Sequence, residues 1–135
     1  SIGYVGSEYA FAQKIPYASI MNQRGELVEP NAESISAAAS GVIPADTRTS
    51  ITNADAAGAY PIATFTWMII YKEQNYSDRS KEQATATLDL LQYILSNEAQ
   101  DITSEVHYAP LPAKAKELSM KNLKTVTYDG MPILQ

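Results

Sequence analysis

Length, composition and charge exclude several classes of protein before any motif is considered. The chain has 135 residues, a formal net charge of -5 and no cysteine. A single domain of ordinary size is expected, burying roughly two thirds of the surface that its unfolded chain exposes. Without cysteine there are no thiolate metal sites, thiol nucleophiles or disulfides. The excess of acidic over basic residues leaves no positively charged surface for binding nucleic acid.

Neither a membrane span nor a leader is predicted from the apolar stretches. The longest stretch, Ile62 to Tyr71, is about half as long as a transmembrane helix requires. The sequence does not begin with a positively charged segment followed by an apolar one, as a signal peptide would, or with an acylation motif. We therefore expect any export signal to lie outside it.

The first residues predict a strand followed by a helix. Residues 2–5 are apolar and β-prone, which predicts a short buried strand. Residues 8–14 place Ala, Phe and Tyr at near-helical spacing, with Ser7 as the expected cap and Pro16 as a stop.

A hairpin, a second helix and a long connection are predicted next. Residues 17–21 and 26–28 flank a turn in which Gly25 can supply the positive φ that a hairpin needs. Asn31 is expected to cap a helix that Gly41 ends. Residues 42–60 are small and polar without a regular period, which indicates a connection.

The strongest strand signal lies in the middle of the chain. Residues 60–72 are rich in β-branched and aromatic side chains, which is typical of a strand buried on both faces in its later half. Trp67 lies inside this segment and is expected in the core. The nine tyrosines are dispersed and are expected to line cores and edges.

The second half of the chain predicts three helices. Ser80 and Gln83 have the spacing of a capping box, and leucines at helical spacing through Leu95 predict a face that packs on the sheet. Residues 97–106 predict a short helix. Residues 107–112 predict an extended elbow leading into a helix over 113–123, and the tail carries a turn at Tyr128-Asp129-Gly130.

No catalytic constellation is found in the sequence. A histidine-based triad would have to be built around His107, the one histidine, and no spacing supplies its nucleophile and orienting carboxylate. Glu26 and Glu29 could be imagined as a general acid and base pair, but charges are expected beside a hairpin and a helix entry in any case. No glycine-rich phosphate loop occurs, and Ser7 and Ser80 are expected to cap helices rather than bind an anion.

Four stretches, taken in order, resemble the C-terminal portion of the phosphate-binding proteins that serve ABC-type phosphate importers. Their sequence covers nearly the whole chain. The stretches are Ser1-Ile2-Gly3-Tyr4-Val5 with Tyr9-Ala10-Phe11-Ala12, Pro30 to Ala39, Tyr60-Pro61-Ile62 through Thr64-Phe65 to Tyr71-Lys72, and Tyr108-Ala109-Pro110-Leu111-Pro112.

The resemblance implies part of a type II periplasmic-binding-protein fold. This is an α/β architecture, expected here as a short mixed sheet flanked by helices. Residues 1–58 would be the later part of one lobe, and residues 59–135 would form a crossing strand and the helices that return to the other lobe. The implied function is that of the solute-binding component of an inorganic phosphate importer, without enzymatic activity.

The resemblance also implies that this chain lacks the phosphate ligands. In the family these ligands belong to sequence that would precede Ser1, and no motif matches Arg24, Arg48 or Arg79 to the family arginine. No catalytic residue, metal site or cofactor is expected. The implied partners are inorganic phosphate and the membrane permease of an ABC transporter, and the implied location is the periplasm or, as a lipoprotein, the cell surface.

Two other functions stay open. A stand-alone interaction or sensory module could keep this scaffold and bind no anion, and a phosphohydrolase of the same fold would need a nucleophile that the sequence does not show. Because an isolated piece would leave sheet edges and apolar surface uncovered, self-association is also expected.

Overall fold

The computed structural model describes residues 2–134 and contains both helices and short strands. Within that range the helices are α1 (Ser7–Ala12), α2 (Ala32–Ala38), α3 (Lys81–Ile94), α4 (Asn97–Glu105) and α5 (Ala113–Leu123). The strands are β1 (Ile20–Met21), β2 (Leu27–Val28), β3 (Thr127–Tyr128) and β4 (Met131–Pro132).

The strands form two separate antiparallel pairs instead of the predicted mixed sheet. β1 pairs with β2, and β3 pairs with β4. A single parallel bridge between Glu73 and Thr127 adds the start of a third strand beside β3. The mixture of helix and strand is confirmed, whereas among the described residues no sheet has more than two strands.

The first hairpin and the second helix form where they are predicted, but α2 ends at Ala38 with Ala39 as its C-cap, so the predicted stop at Gly41 is wrong. The Asn22 amide donates to the Glu26 carbonyl at 2.9 Å, and Gly25 takes a positive φ of 78° in the turn. Asn31 closes a capping box with Ser34, its side chain accepting from the Ser34 amide at 2.9 Å. These elements depend on contacts a few residues apart, which a local pattern encodes.

The predicted strand at residues 2–5 is wrong. These residues form no strand, and the side chains of Ile2 and Tyr4 are fully exposed. Ser7 is also not a cap, because Gly6 occupies the cap position of α1 and no side-chain hydrogen bond closes it. β-propensity yields a strand only where a neighbouring strand pairs with it.

The predicted strand over residues 60–72 is likewise absent. Between bends at residues 61–62 and 72 the segment runs extended, but it pairs with no strand among the described residues, apart from the bridge just beyond it at Glu73. Its later half is exposed rather than buried, and Trp67 is 45% exposed, so its expected place in the core is wrong. The tyrosines follow the same trend, since six of them are exposed and Tyr60, Tyr76 and Tyr128 are half-buried.

Two small apolar clusters take the place of one core. The first joins α2 to the connection and to the start of the extended segment, and its buried members are Ala38, Ala39, Ile51, Ala59 and Ala63. The second joins α3 to the end of α5 and the tail, and its buried members are Leu88, Leu123 and Val126. The extended segment spans both clusters, because Phe65 packs on the first and Ile70 on the second.

The long helix α3 begins as predicted but packs differently. Ser80 accepts from the Gln83 amide at 3.2 Å and Gln83 accepts from the Ser80 amide at 3.0 Å, which confirms the capping box. Its leucine face packs against the end of α5 and the tail, not on a sheet.

The chain exposes more surface than its mass predicts. A compact monomer of 14.7 kDa is expected to expose about 6,900 Å², whereas this structure exposes 9254 Å². It therefore buries less than the predicted two thirds of its unfolded surface. The excess lies partly in large apolar side chains, such as Val42 and Ile69.

Candidate functional site

Two of the three arginines are engaged in exposed ion pairs. Arg24 Nε lies 2.8 Å from Asp55 Oδ1, and Arg48 Nη2 lies 2.8 Å from Asp46 Oδ2. Each guanidinium thus already faces a carboxylate. Neither arginine can bind a phosphate without first breaking its ion pair.

Arg79 is held by uncharged groups. Its Nη1 donates to the Tyr76 hydroxyl at 3.0 Å, and its Nη2 donates to the Gln83 carbonyl at 3.1 Å and to the Thr87 hydroxyl. The guanidinium also lies over the Tyr76 ring, 5.6 Å from the centroid, a distance at which cation–π attraction operates. These contacts pin Arg79 along the first turns of α3, and its backbone carbonyl accepts from the Tyr128 hydroxyl at 2.9 Å.

His107 lies in a strained position at the surface. Its φ is 64° and its side chain is exposed. The ring makes an edge contact with Phe11, with centroids 5.7 Å apart. No hydrogen bond of the described residues joins it to a carboxylate or a hydroxyl, so the geometry provides no triad.

Glu26 holds the first hairpin against the long connection. Its Oε2 accepts from Asn22 Nδ2 at 2.7 Å and from the Gly58 amide at 2.8 Å. These two bonds, Asn22 first, lower the pKa of Glu26 below its ordinary value. A carboxylate that stays ionised at neutral pH cannot serve as a general acid, and among the described residues no hydrogen bond joins it to the Glu29 side chain.

Asn22 is the buried centre of the same contact. Its Oδ1 accepts from the amides of Arg24 and Glu26, both at 3.0 Å, and its Nδ2 also donates to the Ala59 carbonyl at 3.3 Å. One side chain thereby fixes the turn and ties it to a residue 37 positions away. No sequence pattern indicates this role, because asparagine is common in turns.

Among the carboxylates of residues 2–134, Glu73 accepts the largest number of hydrogen bonds. Its Oε1 accepts from the amides of Asn75 at 2.9 Å and Asp129 at 3.0 Å, and its Oε2 accepts from the Thr127 hydroxyl at 2.8 Å and the Gly130 amide at 3.1 Å. Led by the Asn75 amide, these donors lower the pKa of Glu73 to about 2. The carboxylate is a structural acceptor that fastens the C-terminal hairpin.

Two grooves on the surface of the described residues do not suit an oxyanion. One groove of about 530 Å³ is lined by Tyr71, Glu73, Asn75, Tyr76 and Ser77. A second, of about 390 Å³, runs along α3 and is lined by Lys81, Glu82, Thr85, Ala86 and Asp89. Each carries carboxylate charge, which repels phosphate, and neither offers the converging donors that a dehydrated anion requires.

Residues 2–134 contain neither a cluster of metal ligands nor a membrane-spanning helix. No group of three or more His, Asp or Glu side chains in that range is placed to hold a metal ion. No helix in the same range has the length and apolarity needed to cross a bilayer.

Comparison with known proteins finds sequence similarity to proteins that are named for binding phosphate. Over most of its length it is similar to phosphate-binding proteins. A phosphate-binding protein PstS from Xylella fastidiosa strain Temecula1 is 37% identical over 115 residues, which is 83% of this chain and 30% of the relative. PstS proteins of Haemophilus influenzae and Methanocaldococcus jannaschii are 31% and 28% identical over 135 residues, or 93% of this chain and 37% and 35% of theirs.

These matches confirm the resemblance seen in the four sequence stretches. The chain spans about a third of the length of the curated relatives that it matches. No protein-family profile matches it.

Proposed function

We propose that this chain is the C-terminal part of the solute-binding component of an ABC-type inorganic phosphate importer. The observation that carries the proposal is the similarity to proteins named phosphate-binding protein, which extends over 83% to 93% of this chain but only 30% to 37% of theirs. A binding role also agrees with carboxylates that serve as fixed acceptors rather than as proton donors.

The parent protein would have the two-lobed, type II periplasmic-binding fold. In this proposal residues 1–58 complete one lobe, and residues 59–135 cross to the other. Two separate apolar clusters support a chain divided between two lobes, since the first lies around α2 and the second around α3 and α5. The first cluster also takes in Ala59, Ala63 and Phe65, so the start of the crossing segment would still pack on the first lobe. The extended segment that spans both clusters would be the crossing strand.

The groups that hold phosphate would lie in sequence preceding Ser1. The arginines of this chain support that placement, because Arg24 and Arg48 face carboxylates and Arg79 is bound along α3. An acidic net charge does not conflict with phosphate binding, since oriented dipoles in a closed cleft can hold the anion without a cationic surface. No catalytic step, metal or cofactor belongs to this proposal.

The partners would be phosphate and the membrane permease of the transporter. The protein would act in the periplasm or, as a lipoprotein, at the cell surface. Lobe closure on the anion is a hinge motion that requires both lobes, so the 135-residue chain should not capture phosphate by itself.

Calorimetric titration of the full-length parent with phosphate tests the assignment. The parent is expected to bind phosphate with micromolar or tighter affinity when sulfate is present as the competing anion. The isolated chain should show no comparable affinity. A parent that fails to bind would refute the transport role, whereas tight binding by the isolated chain would show that the ligands lie within it.

A stand-alone interaction module is the alternative, and the large exposed apolar surface favours it. The upstream coding sequence separates the two functions. A gene that starts near Ser1 with its own signal peptide would support the module, and an upstream α/β lobe with serine- and threonine-rich helix entries would support the importer.

A further inference from the structure

Asp129 and Gly130 form the turn between β3 and β4, and their sequence favours isomerisation of the aspartate. No other aspartate and no asparagine in the sequence is followed by glycine. Glycine has no Cβ to shield its nitrogen, and around Gly130 no other atom lies within 4 Å of the place where a Cβ would be. Both residues are exposed to water.

The isomerisation is intramolecular and consumes only water. The Gly130 nitrogen attacks Cγ of Asp129, so that an N–C bond forms and a Cγ–O bond breaks. The departing oxygen leaves as water and carries away the carboxyl proton and the amide proton. Water then opens the succinimide ring at one of its two carbonyls. Opening at Cγ restores aspartate, and opening at the backbone carbonyl gives isoaspartate.

In the folded chain each reacting group is held by a hydrogen bond. The Gly130 amide donates to Glu73 Oε2 at 3.1 Å, and the Asp129 amide donates to Glu73 Oε1 at 3.0 Å. The carboxylate to be attacked is held from another side, because Asn75 Nδ2 donates to Asp129 Oδ1. The nitrogen must leave Glu73 before it can approach Cγ, so these contacts oppose ring closure.

The Glu73 carboxylate restrains the amide without activating it. Hydrogen bonds, led by that from the Asn75 amide, lower the pKa of Glu73 to about 2. A group with so low a pKa is a poor general base at neutral pH. It therefore holds the amide proton of Gly130 in a hydrogen bond and does not remove it.

We propose that Asp129 is the position at which this chain isomerises to isoaspartate, and that Glu73 keeps the reaction slow while the C-terminal hairpin is docked. The contacts that carry the proposal join Glu73 and Asn75 to the turn at Asp129 and Gly130. The reaction needs no partner molecule. The proposal therefore does not depend on the proposed transport function or on residues outside this chain.

Isomerisation would release the hairpin that restrains it. Isoaspartate adds one methylene carbon to the main chain, which a two-residue turn cannot accommodate without changing the pairing of Tyr128 with Met131. The two turn amides would then no longer reach both oxygens of Glu73. Ile133 and Leu134 follow the turn and pack on the second apolar cluster, so the tail should loosen with it.

Peptide mapping by mass spectrometry of the chain, incubated at neutral pH, measures the isomerisation. A synthetic peptide of residues 125–134 gives the unrestrained rate, and Asp129 in the folded chain should isomerise more slowly than in the peptide. Glu73→Ala removes both acceptor oxygens and should raise the rate roughly three- to tenfold, the effect of losing exposed hydrogen bonds to a charged group. Glu105→Ala, which truncates an exposed glutamate on α4, should leave the rate unchanged.

Three results would overturn the proposal. The folded chain could isomerise as fast as the peptide, Glu73→Ala could fail to accelerate the reaction, or isoaspartate could accumulate first at another aspartate. The first two would show that Glu73 does not restrain the turn, and the third that Asp129 is not the reactive position.

A variant in the first apolar cluster separates release of the hairpin from general unfolding. Ile51 is buried in that cluster, whereas the tail after the hairpin packs on the second. Ile51→Ala should lower the urea midpoint but leave the rate at Asp129 unchanged, and Glu73→Ala should raise the rate even where its urea midpoint is the higher of the two. Equal acceleration in both variants would assign the reaction to the unfolded chain and would refute the role of Glu73.

Discussion

The carboxylate of Glu73 accepts a hydrogen bond from the Thr127 hydroxyl at 2.8 Å, across 54 positions of sequence. The backbones of the two residues also form a parallel bridge, with the Gln74 amide donating to the Thr127 carbonyl and the Thr127 amide to the Lys72 carbonyl, each at 2.8 Å. Side chain and backbone together dock the C-terminal hairpin on the end of the extended segment.

Replacing Glu73 with glutamine should loosen that hairpin. Glu73→Gln keeps one acceptor oxygen and replaces the other with an NH₂ group, so the amides or hydroxyl bound to that side lose their acceptor. Hydrogen exchange should accelerate most at the amides of Asp129 and Gly130, and the urea midpoint should fall. Glu105→Gln, which changes an exposed glutamate at the end of α4, should leave both unchanged. Equal protection in the two variants would show that Glu73 does not hold the hairpin.

Acid should destabilise the protein through the same carboxylate. The folded-state pKa of Glu73 is about 2 against an ordinary value of 4.5. A lowered pKa contributes stability that is present above pH 4.5 and is lost as the pH falls toward 2. The lowered pKa of Glu26 acts in the same direction. Urea unfolding from pH 7 to pH 2 should show this decline, and Glu73→Gln should make it shallower. If the stability of that variant declines identically, the acid sensitivity arises from other groups.

Local patterns of the sequence predicted local structure well. The capping boxes at Asn31 and Ser80, the turn at Gly25 and the turn at Asp129 all formed. At the last of these, Asp129 and Gly130 both have positive φ, 51° and 74°, as a two-residue hairpin requires. Each of these features closes within a few residues, so the information lies in adjacent letters of the sequence.

Features that depend on distant partners were not predicted. The segment around Trp67 has the composition of a buried strand, but composition records a preference and not the presence of a neighbouring strand. The roles of Asn22 and Glu73 were missed because their partners lie 37 and 54 positions away. The resemblance of four stretches, and not any local chemistry, pointed to phosphate-binding proteins.

Shortening Leu88 should test the second apolar cluster. Leu88 is fully buried against Leu123 and Val126. Leu88→Ala should therefore cost about 2–5 kcal/mol in the free energy of unfolding, as is typical when most of a buried leucine side chain is deleted. Leu90 lies on the same helix but is 57% exposed. Leu90→Ala should therefore change stability by no more than about 0.5 kcal/mol. Chemical denaturation of both variants measures the difference, and similar losses would mean that α3 does not pack through Leu88.

Ser80 and Ser7 are both expected from the sequence to cap helices, but replacing each with alanine should change the free energy of unfolding by different amounts. Ser80 accepts from the Gln83 amide and closes a capping box, so Ser80→Ala should cost about 0.5–2 kcal/mol in the free energy of unfolding. Ser7 was expected to have the same role from its sequence position, but it makes no cap hydrogen bond. Ser7→Ala should therefore be close to neutral, because alanine is a good helix former and no bond is lost. Thermal and urea unfolding of the two variants compares them directly, and a loss at Ser7 equal to that at Ser80 would show that α1 is capped by Ser7 after all.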